Sequence, residues 1–495
     1  MAASRDDPWW ASPAVLALAV VVSGALGWVA PQAGKKGMAL VAGALVFGVS
    51  LVLVRQREGL MLQASVVSLA FMLHKSIGPI AAVNSGAPSI YLTPLDVLLV
   101  GLYAMWLADG SMGRDLRAGL RRPIMMLPLA GVFLQMFSVL LAETPSLALA
   151  EVVRMGWMYA LFVYIALRLR SRSDVMLVLR ALAVIGLIEF VAVGGQWVTK
   201  GPLGLSFLGL PLELGERTLD AGEIPRPFGT ITHPTFMGTF MSMLALMALS
   251  VGIGLRSSRL GKLALVLAVV CAAPVALAQA RAALIGLAVA GVLLVGACLV
   301  TGRLRARPVV GLALAGGIVL AAAWPIVQER VLDNFATDHF DLEVQSRVEL
   351  NDLALEMIRS SPVLGVGLNN FLVVDHRFDE RGLIFAENPV HNVFLLNLAE
   401  TGVVGFSGFV MVGIGLLVVA LRLARTTDPL YAAIGAGVAA CYVFLIVEEQ
   451  LGFSLRQDQP LALTWLLAGL SIACLRLPAA PPAVPAPVPA MGSRR

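Results

Sequence analysis

Apolar runs of about twenty residues recur along the whole chain, among them MMLPLAGVFLQMFSVLLA and AALIGLAVAGVLLVGACLV. A helix rising 1.5 Å per residue needs about 20 such residues to cross roughly 30 Å of hydrocarbon, so each run predicts a membrane-spanning helix. Soluble domains carry about 25% charged residues; this chain has 14%, with 58% hydrophobic residues and a mean hydropathy of +0.86. The expected fold class is an all-α polytopic membrane protein with about fourteen spans, twelve at the least.

The expected spans lie near 11–30, 37–54, 60–80, 89–108, 123–142, 147–169, 175–198, 232–254, 261–279, 281–301, 307–326, 391–421, 430–449 and 459–476. The first is read as a retained anchor, because Arg5 alone is too little positive charge for the start of a signal peptide. The four cysteines, Cys271, Cys298, Cys441 and Cys474, all lie in apolar runs, which excludes a disulfide framework or a zinc-type spacing.

Basic residues set the orientation. Arg55 and Arg57, Arg114 to Arg122, Arg168 to Arg172, Arg256 to Lys262, Arg303 to Arg307, and Arg422 with Arg425 mark alternate connections. The connections between them hold few, so the arginine-rich set and both termini are expected on the cytoplasmic side. This placement accounts for the net charge of +5 without a nucleic-acid partner.

The chain then divides into N-terminal spans (1–198), an outer loop (199–231), central spans (232–326), a large outer loop (327–390), three last spans (391–476) and a Pro/Ala-rich cytoplasmic tail (477–495). The large loop has twelve acidic residues and five arginines, too polar to enter the bilayer. Within it, SRVELNDLALEMIRSSP predicts an amphipathic helix. Ser346 and Glu349 have capping-box spacing, Leu350, Leu353, Ala354 and Met357 share one face, and Pro362 ends it.

Polar residues at the outer helix mouths are the candidates for chemistry. Arg281 tops a tight hairpin at a helix N-terminus, where the macrodipole is already positive. A cation there suits anion binding as well as it suits snorkelling to headgroups. Arg226 and His233 lie in RPFGTITHP, a stiff turn in which Thr232 has the position of a helix cap. Arg347 falls in the first turn of the expected loop helix, and the glycines of PVLGVGLNNF give a weak phosphate signal.

His391 opens the twelfth span and can serve as a general base or as an interfacial cap. Helical phase puts it on a face with Leu395, Leu398, Gly402 and Gly405. Glu400 lies on the other side, roughly 13 Å along the axis, where it is expected to make an interhelical contact. Ser407 sits in a protease-like GFSG, but its nearest helical histidine is about 24 Å away, so protease chemistry is set aside.

In chain order, RPFGTITHP, QARAALIGLAV, SRVELNDLALEMIRSSPVLGVGLNNF and HNVFLLNLAETGVVG resemble the motifs of the O-antigen ligase and polymerase superfamily. The resemblance covers roughly residues 220–410; the first 200 match only as hydrophobic spans. It implies a GT-C-like fold and a glycosyltransferase that takes glycan from an undecaprenyl-diphosphate carrier, with no metal or other cofactor.

By the same resemblance His391 is the essential histidine at the loop end, and Arg281 and Arg347 hold the diphosphate. Arg226 and His233 match a more variable motif. With Asn392 and His376 they form the candidate substrate-binding residues. About fourteen spans against the usual twelve, and Gln-Ala-Arg-Ala in place of Ser-Arg-Gly, depart from the ligase pattern and favour a polymerase of O-antigen or exopolysaccharide repeats.

A ligase acting on lipid A–core or protein is the alternative. The implied partners are the lipid-linked donor, a saccharide acceptor, a chain-length regulator and a flippase. The implied location is the cytoplasmic membrane with the site outside. From another class, Glu151, Arg154 and Glu189 within apolar runs are compatible with the polar path of a polysaccharide or lipid transporter.

Overall fold

A computed structural model describes residues 57–71, 75–77, 90–204, 226–304, 338–379 and 389–478. Its helices are α1 (Arg57–Val67, with a 3-10 turn Ser68–Ala70), α2 (Pro94–Ala108), α3 (Met112–Leu120), α4 (Pro123–Met136, with a 3-10 turn Phe137–Leu141), α5 (Pro145–Arg168), α6 (Arg172–Thr199) and α7 (Pro234–Gly254). There follow α8 (Arg259–Leu277), α9 (Arg281–Val300), α10 (Asp338–Ser360), α11 (Phe371–Val374), α12 (Val393–Ala424), α13 (Pro429–Glu448) and α14 (Asp458–Arg476). The one ladder among the described residues is a three-residue antiparallel pair, β1 (Lys75–Ile77) with β2 (Ile90–Leu92).

Nine of these helices are long and apolar enough to cross a membrane, and each coincides with an expected span. The expected spans at 11–30, 37–54 and 307–326 lie outside the described residues, as do most of the outer loop 199–231 and of the tail. The span expected at 60–80 is corrected: among the described residues its helix ends at Ala70 and Lys75–Ile77 form β1, so the described helix is shorter than a crossing needs. The helix of the fourth expected span is only α2, which turns by 104° into α3. A positive-φ Gly110 and the polar residues Asp109 and Ser111 break the apolar run at that corner.

Sequence chemistry sets the helix starts. Thr93 with Asp96, and Ser171 with Asp174, form capping boxes. Proline occupies the first turn of α2, α4, α5, α7 and α13, where its missing N–H costs nothing. Burial sorts the bundle into centre and rim. The spanning window of α7 is 89% buried, with α13 at 78% and α14 at 72%, whereas α9 and α12 are each at 28% and turn most of their surface outward.

The loop helix α10 begins eight residues before Ser346, so two expectations are corrected. Ser346 is not its cap, and Arg347 lies in mid-helix rather than in a first turn. The preceding DHFDLEVQ contains no proline or glycine to stop the helix earlier. The expected apolar face does hold: Leu350, Leu353, Ala354 and Met357 are buried in a small second core with Phe371, Leu372, Val374, Val390, Leu396 and Ala399.

That core sits on a break in α12. Gly402 has φ +60° and ψ −172° inside the helix, so the single helical phase expected from His391 to Gly405 ends at Thr401. The segment PVLGVG of the large loop fills the break. Val366 N–H donates to Ala399 O (2.9 Å) and Gly367 N–H to Glu400 O (2.9 Å). In return, Val403 N–H donates to Pro362 O (2.9 Å) and Val404 N–H to Val363 O (3.2 Å). Two carbonyls and two N–H groups at the break thereby find partners in the loop, as a low-dielectric setting favours.

The glycines that sequence alone connected with phosphate serve this docking. A Cβ on Gly402 would strike the Val363 backbone, and one on Gly365 would strike the Glu400 backbone. Gly402→Val combines that clash with a strained left-handed backbone, itself worth about 1–3 kcal/mol. It is expected to lower the thermal midpoint of the detergent-solubilised protein; an unchanged midpoint would contradict the docking.

Candidate active site

Three structures meet at the end of the bundle where α7, α9 and α12 begin: a strap before α7, the large loop, and the turn between α13 and α14. The strap, residues 226–233, is pinned on α6. Gln196 accepts from Phe228 N–H (3.0 Å) and Gly229 N–H (2.8 Å) and donates to Gly229 O (2.8 Å). Glu189 accepts from Thr230 N–H (3.0 Å) and from its hydroxyl.

Arg226 donates from Nε to Ala278 O (3.1 Å) and from Nη2 to Gln279 O (3.4 Å). It thus caps the last carbonyls of α8, where a cation is favoured. Those carbonyls belong to the hairpin that carries Arg281: Gln279 turns at φ +55° and α9 starts two residues later. Ala280 and Ala283 sit against Gly238 of α7, holding the exposed Arg281 beside the first turns of that helix.

His233, not Thr232, is the N-cap of α7, with Nδ1 accepting from Thr235 N–H (3.2 Å). Its ring lies 4.8 Å from Phe236, Phe236 lies 5.7 Å from Phe453, and Phe453 lies 5.1 Å from His391, measured between ring centroids. A row of four rings therefore joins the mouths of α7 and α12. His391 is half-buried and precedes α12, whose N-cap is Asn392 with Oδ1 accepting from Phe394 N–H (3.0 Å) and Leu395 N–H (3.1 Å).

The turn from Glu449 to Arg456 touches the candidates on every side. Val393 N–H donates to Glu449 O (3.0 Å), Asn392 Nδ2 to Gln450 Oε1 (3.3 Å), and Arg347 Nη1 to Leu451 O (3.3 Å). His391, Asn392, Arg347 and, through Phe236, His233 are brought to this one turn. Arg281 is held by its hairpin against Gly238 of α7, the helix whose Phe236 meets Phe453. His376 lies apart from the turn: it is two-thirds exposed, 3.9 Å from Asp375, on a segment held by Arg377–Glu143 (2.6 Å) and Asn370–Thr144 (2.7 Å) contacts. Burial pushes the Asp375 carboxyl above its ordinary pKa, opposed by the His376 backbone N–H.

Beneath the turn is a buried charge network. Arg456 reaches Glu400 (3.0 Å), Glu151 (3.9 Å) and Asn369 Oδ1 (3.0 Å). Arg154 holds Glu151 with two bonds (2.8 and 2.6 Å) and Asp458 with a third (3.1 Å). Glu400 thus bonds outside its own helix, though to the turn and the large loop (Phe371 N–H, 3.3 Å) rather than to the neighbouring helix that was expected. Ser407 spends its hydroxyl on Val404 O of its own helix. Glu151, Arg154 and Glu189, the residues compatible with a transport path, are engaged in these bonds and in the strap. All four cysteines are buried.

Sequence reading missed Glu449, Gln450, Phe453 and Arg456. The available signal was EEQLGFSLRQD itself, a short connection with two glutamates against an apolar span and an arginine close by.

A polytopic helical membrane protein with a histidine and two arginines at one end of its bundle is the class that these features define. Residues 243–410 match the family model described as O-antigen ligase, which places that segment in the O-antigen ligase and polymerase superfamily. The match takes in Arg281, Arg347 and His391 but stops short of the α13–α14 turn and begins after the strap. No curated protein matches the chain.

An arginine in a buried network leaves uncompensated carboxylates when removed, a change that commonly costs about 3–5 kcal/mol. Arg456→Met is expected to destabilise the detergent-solubilised protein by about that amount, and the added Glu400→Gln to restore part of it. Equal melting of Arg456→Met and wild type would refute the network.

Proposed function

We propose that the protein transfers glycan from an undecaprenyl-diphosphate carrier to a sugar hydroxyl, at the outer face of the cytoplasmic membrane and with inversion at the anomeric carbon. The observation that carries this reading is the meeting of His391, Arg347 and the mouth of α7 at the turn Glu449–Phe453, within a chain whose matched segment is an O-antigen ligase domain.

The acceptor oxygen forms a bond to the anomeric carbon while the bond from that carbon to the diphosphate oxygen breaks, the diphosphate leaving with the electron pair. His391 takes the hydroxyl proton or orients it. Arg281 and Arg347 stabilise the negative charge that develops on the leaving diphosphate. Charge stabilisation by two guanidinium groups of a leaving group that is already good needs no metal in this scheme. Arg226 acts one step back, holding the hairpin of Arg281. His233, Asn392 and His376 remain proposed substrate contacts.

The favoured acceptor is another lipid-linked repeat, making the protein a polymerase of O-antigen or exopolysaccharide, with a flippase and a chain-length regulator as partners. The second reading is a ligase that moves glycan to lipid A–core or protein. The ladder of a deletion strain separates the two: single repeats remain in a polymerase mutant, whereas long lipid-linked chains accumulate in a ligase mutant.

A general base contributes about 10²–10⁴-fold, so His391→Ala is expected to lower transfer by that factor with membrane insertion intact. Undiminished product would end its assigned role. Removing a charge-stabilising donor costs about 10²–10³-fold, the loss expected for Arg281→Ala. Turnover of the purified protein is expected to persist in EDTA.

A further inference from the structure

In the ring row at the bundle mouth, Phe236 packs on the main core and Phe453 on the second, yet both rings remain half-buried and keep part of their surface open. Beside Phe453 on the same turn is Gln450, exposed, whose Oε1 accepts from Asn392, the residue that caps α12 next to His391. Two aromatic rings and two carboxamides thus flank His391.

A pyranose presents an apolar patch of C–H bonds on one face and hydroxyls around its rim. An aromatic face meets the first. After capping α12 and bonding each other and Ile446 O, Asn392 keeps one N–H and Gln450 one N–H and one lone pair, and these meet the second. Phe453 is also held firmly. Asn369, Glu400, Arg456, Pro389 and Leu396 surround its inner side and leave almost no empty space there. The ring is therefore backed by the Arg456 network on one side and meets His391 edge-on, at 79°, on the other.

We propose that Phe453 and Phe236, with the Gln450 and Asn392 carboxamides, form a sugar subsite in which the acceptor pyranose stacks with its hydroxyl toward His391. This deepens the transfer reading and rests on it for the identity of the sugar as acceptor. The subsite itself makes a separate claim, that this chain binds a saccharide here.

The test measures binding and transfer separately on the full-length protein in detergent. The probe is the repeat-unit oligosaccharide released by mild acid from the lipid-linked glycan of the producing cell. Binding is followed by saturation-transfer NMR, and transfer by lipid-linked product. Phe453→Leu keeps an apolar side chain but removes the aromatic face, and Phe453→Trp keeps that face.

An aromatic contact is worth up to about 1.5 kcal/mol. Phe453→Leu and Gln450→Ala are thus expected to weaken oligosaccharide binding three- to about tenfold and to raise the acceptor KM in step, with kcat within about twofold. Phe453→Trp is expected to restore binding. If Phe453→Leu binds as wild type does, or the whole loss falls on kcat, the subsite is overturned and the residue is packing for His391. If binding behaves as expected while the wild type transfers nothing, the subsite stands and the enzyme reading falls.

Discussion

The guanidinium of Arg456 is the contact on which the rest of this end of the molecule depends. It is almost fully buried, and burying an arginine without partners would cost several kcal/mol. Its partners come from three separate parts of the chain: Glu151 on α5, Glu400 on α12, and Asn369 in the large loop. None of these is near Arg456 in sequence, so satisfying the charge draws the three together. If the loop docked elsewhere, Arg456 would lose Asn369 Oδ1 and Glu400 would lose the Phe371 N–H.

The break at Gly402 extends the same logic to the backbone. A continuous helix in lipid needs nothing from a loop, because its hydrogen bonds are internal. Once α12 opens, its Ala399 and Glu400 carbonyls and its Val403 and Val404 N–H groups need partners, and residues 362–367 supply all four. The half of α12 that follows His391 is thereby tied to the loop and to the Arg456 network. Beyond the break, Val403 and Val404 are bonded to the loop and the helix then packs on α4, Gly408 against Gly131. A histidine that must face a reacting atom within a few tenths of an ångström gains from preceding a helix fixed in this way.

The spans were legible in the sequence because length and hydropathy are local properties, and nine of those expected coincide with helices of the described chain. The apolar face of the loop helix was legible for the same reason. The places where sequence reasoning failed all depend on distant partners. Gly402 looked like one more small residue on a helix face, since only the loop seated against it shows that the helix opens there. The glycines of PVLGVG looked like a phosphate turn, and only the Glu400 backbone opposite Gly365 shows what they accommodate. Arg347 looked misplaced because the start of its helix was set eight residues too late. The α13–α14 turn was passed over because short polar connections carry no periodicity, although its charges against an apolar span were a usable warning.

The extent of the family match carries a further physical point. It contains the three groups to which chemistry is assigned, Arg281, Arg347 and His391, and omits most of what holds them. The strap with Arg226 lies before it, and the turn with Phe453 and Arg456 lies after it. Arg226 on the strap and Arg281 on the hairpin are both cations at the same corner, yet they differ in task. Arg226 spends two donors on the carbonyls of α8, whereas Arg281 stands at a helix start where its own dipole disfavours it. Helix-start N–H groups beside a guanidinium favour an anion, and that is the physical basis of the diphosphate role proposed for Arg281.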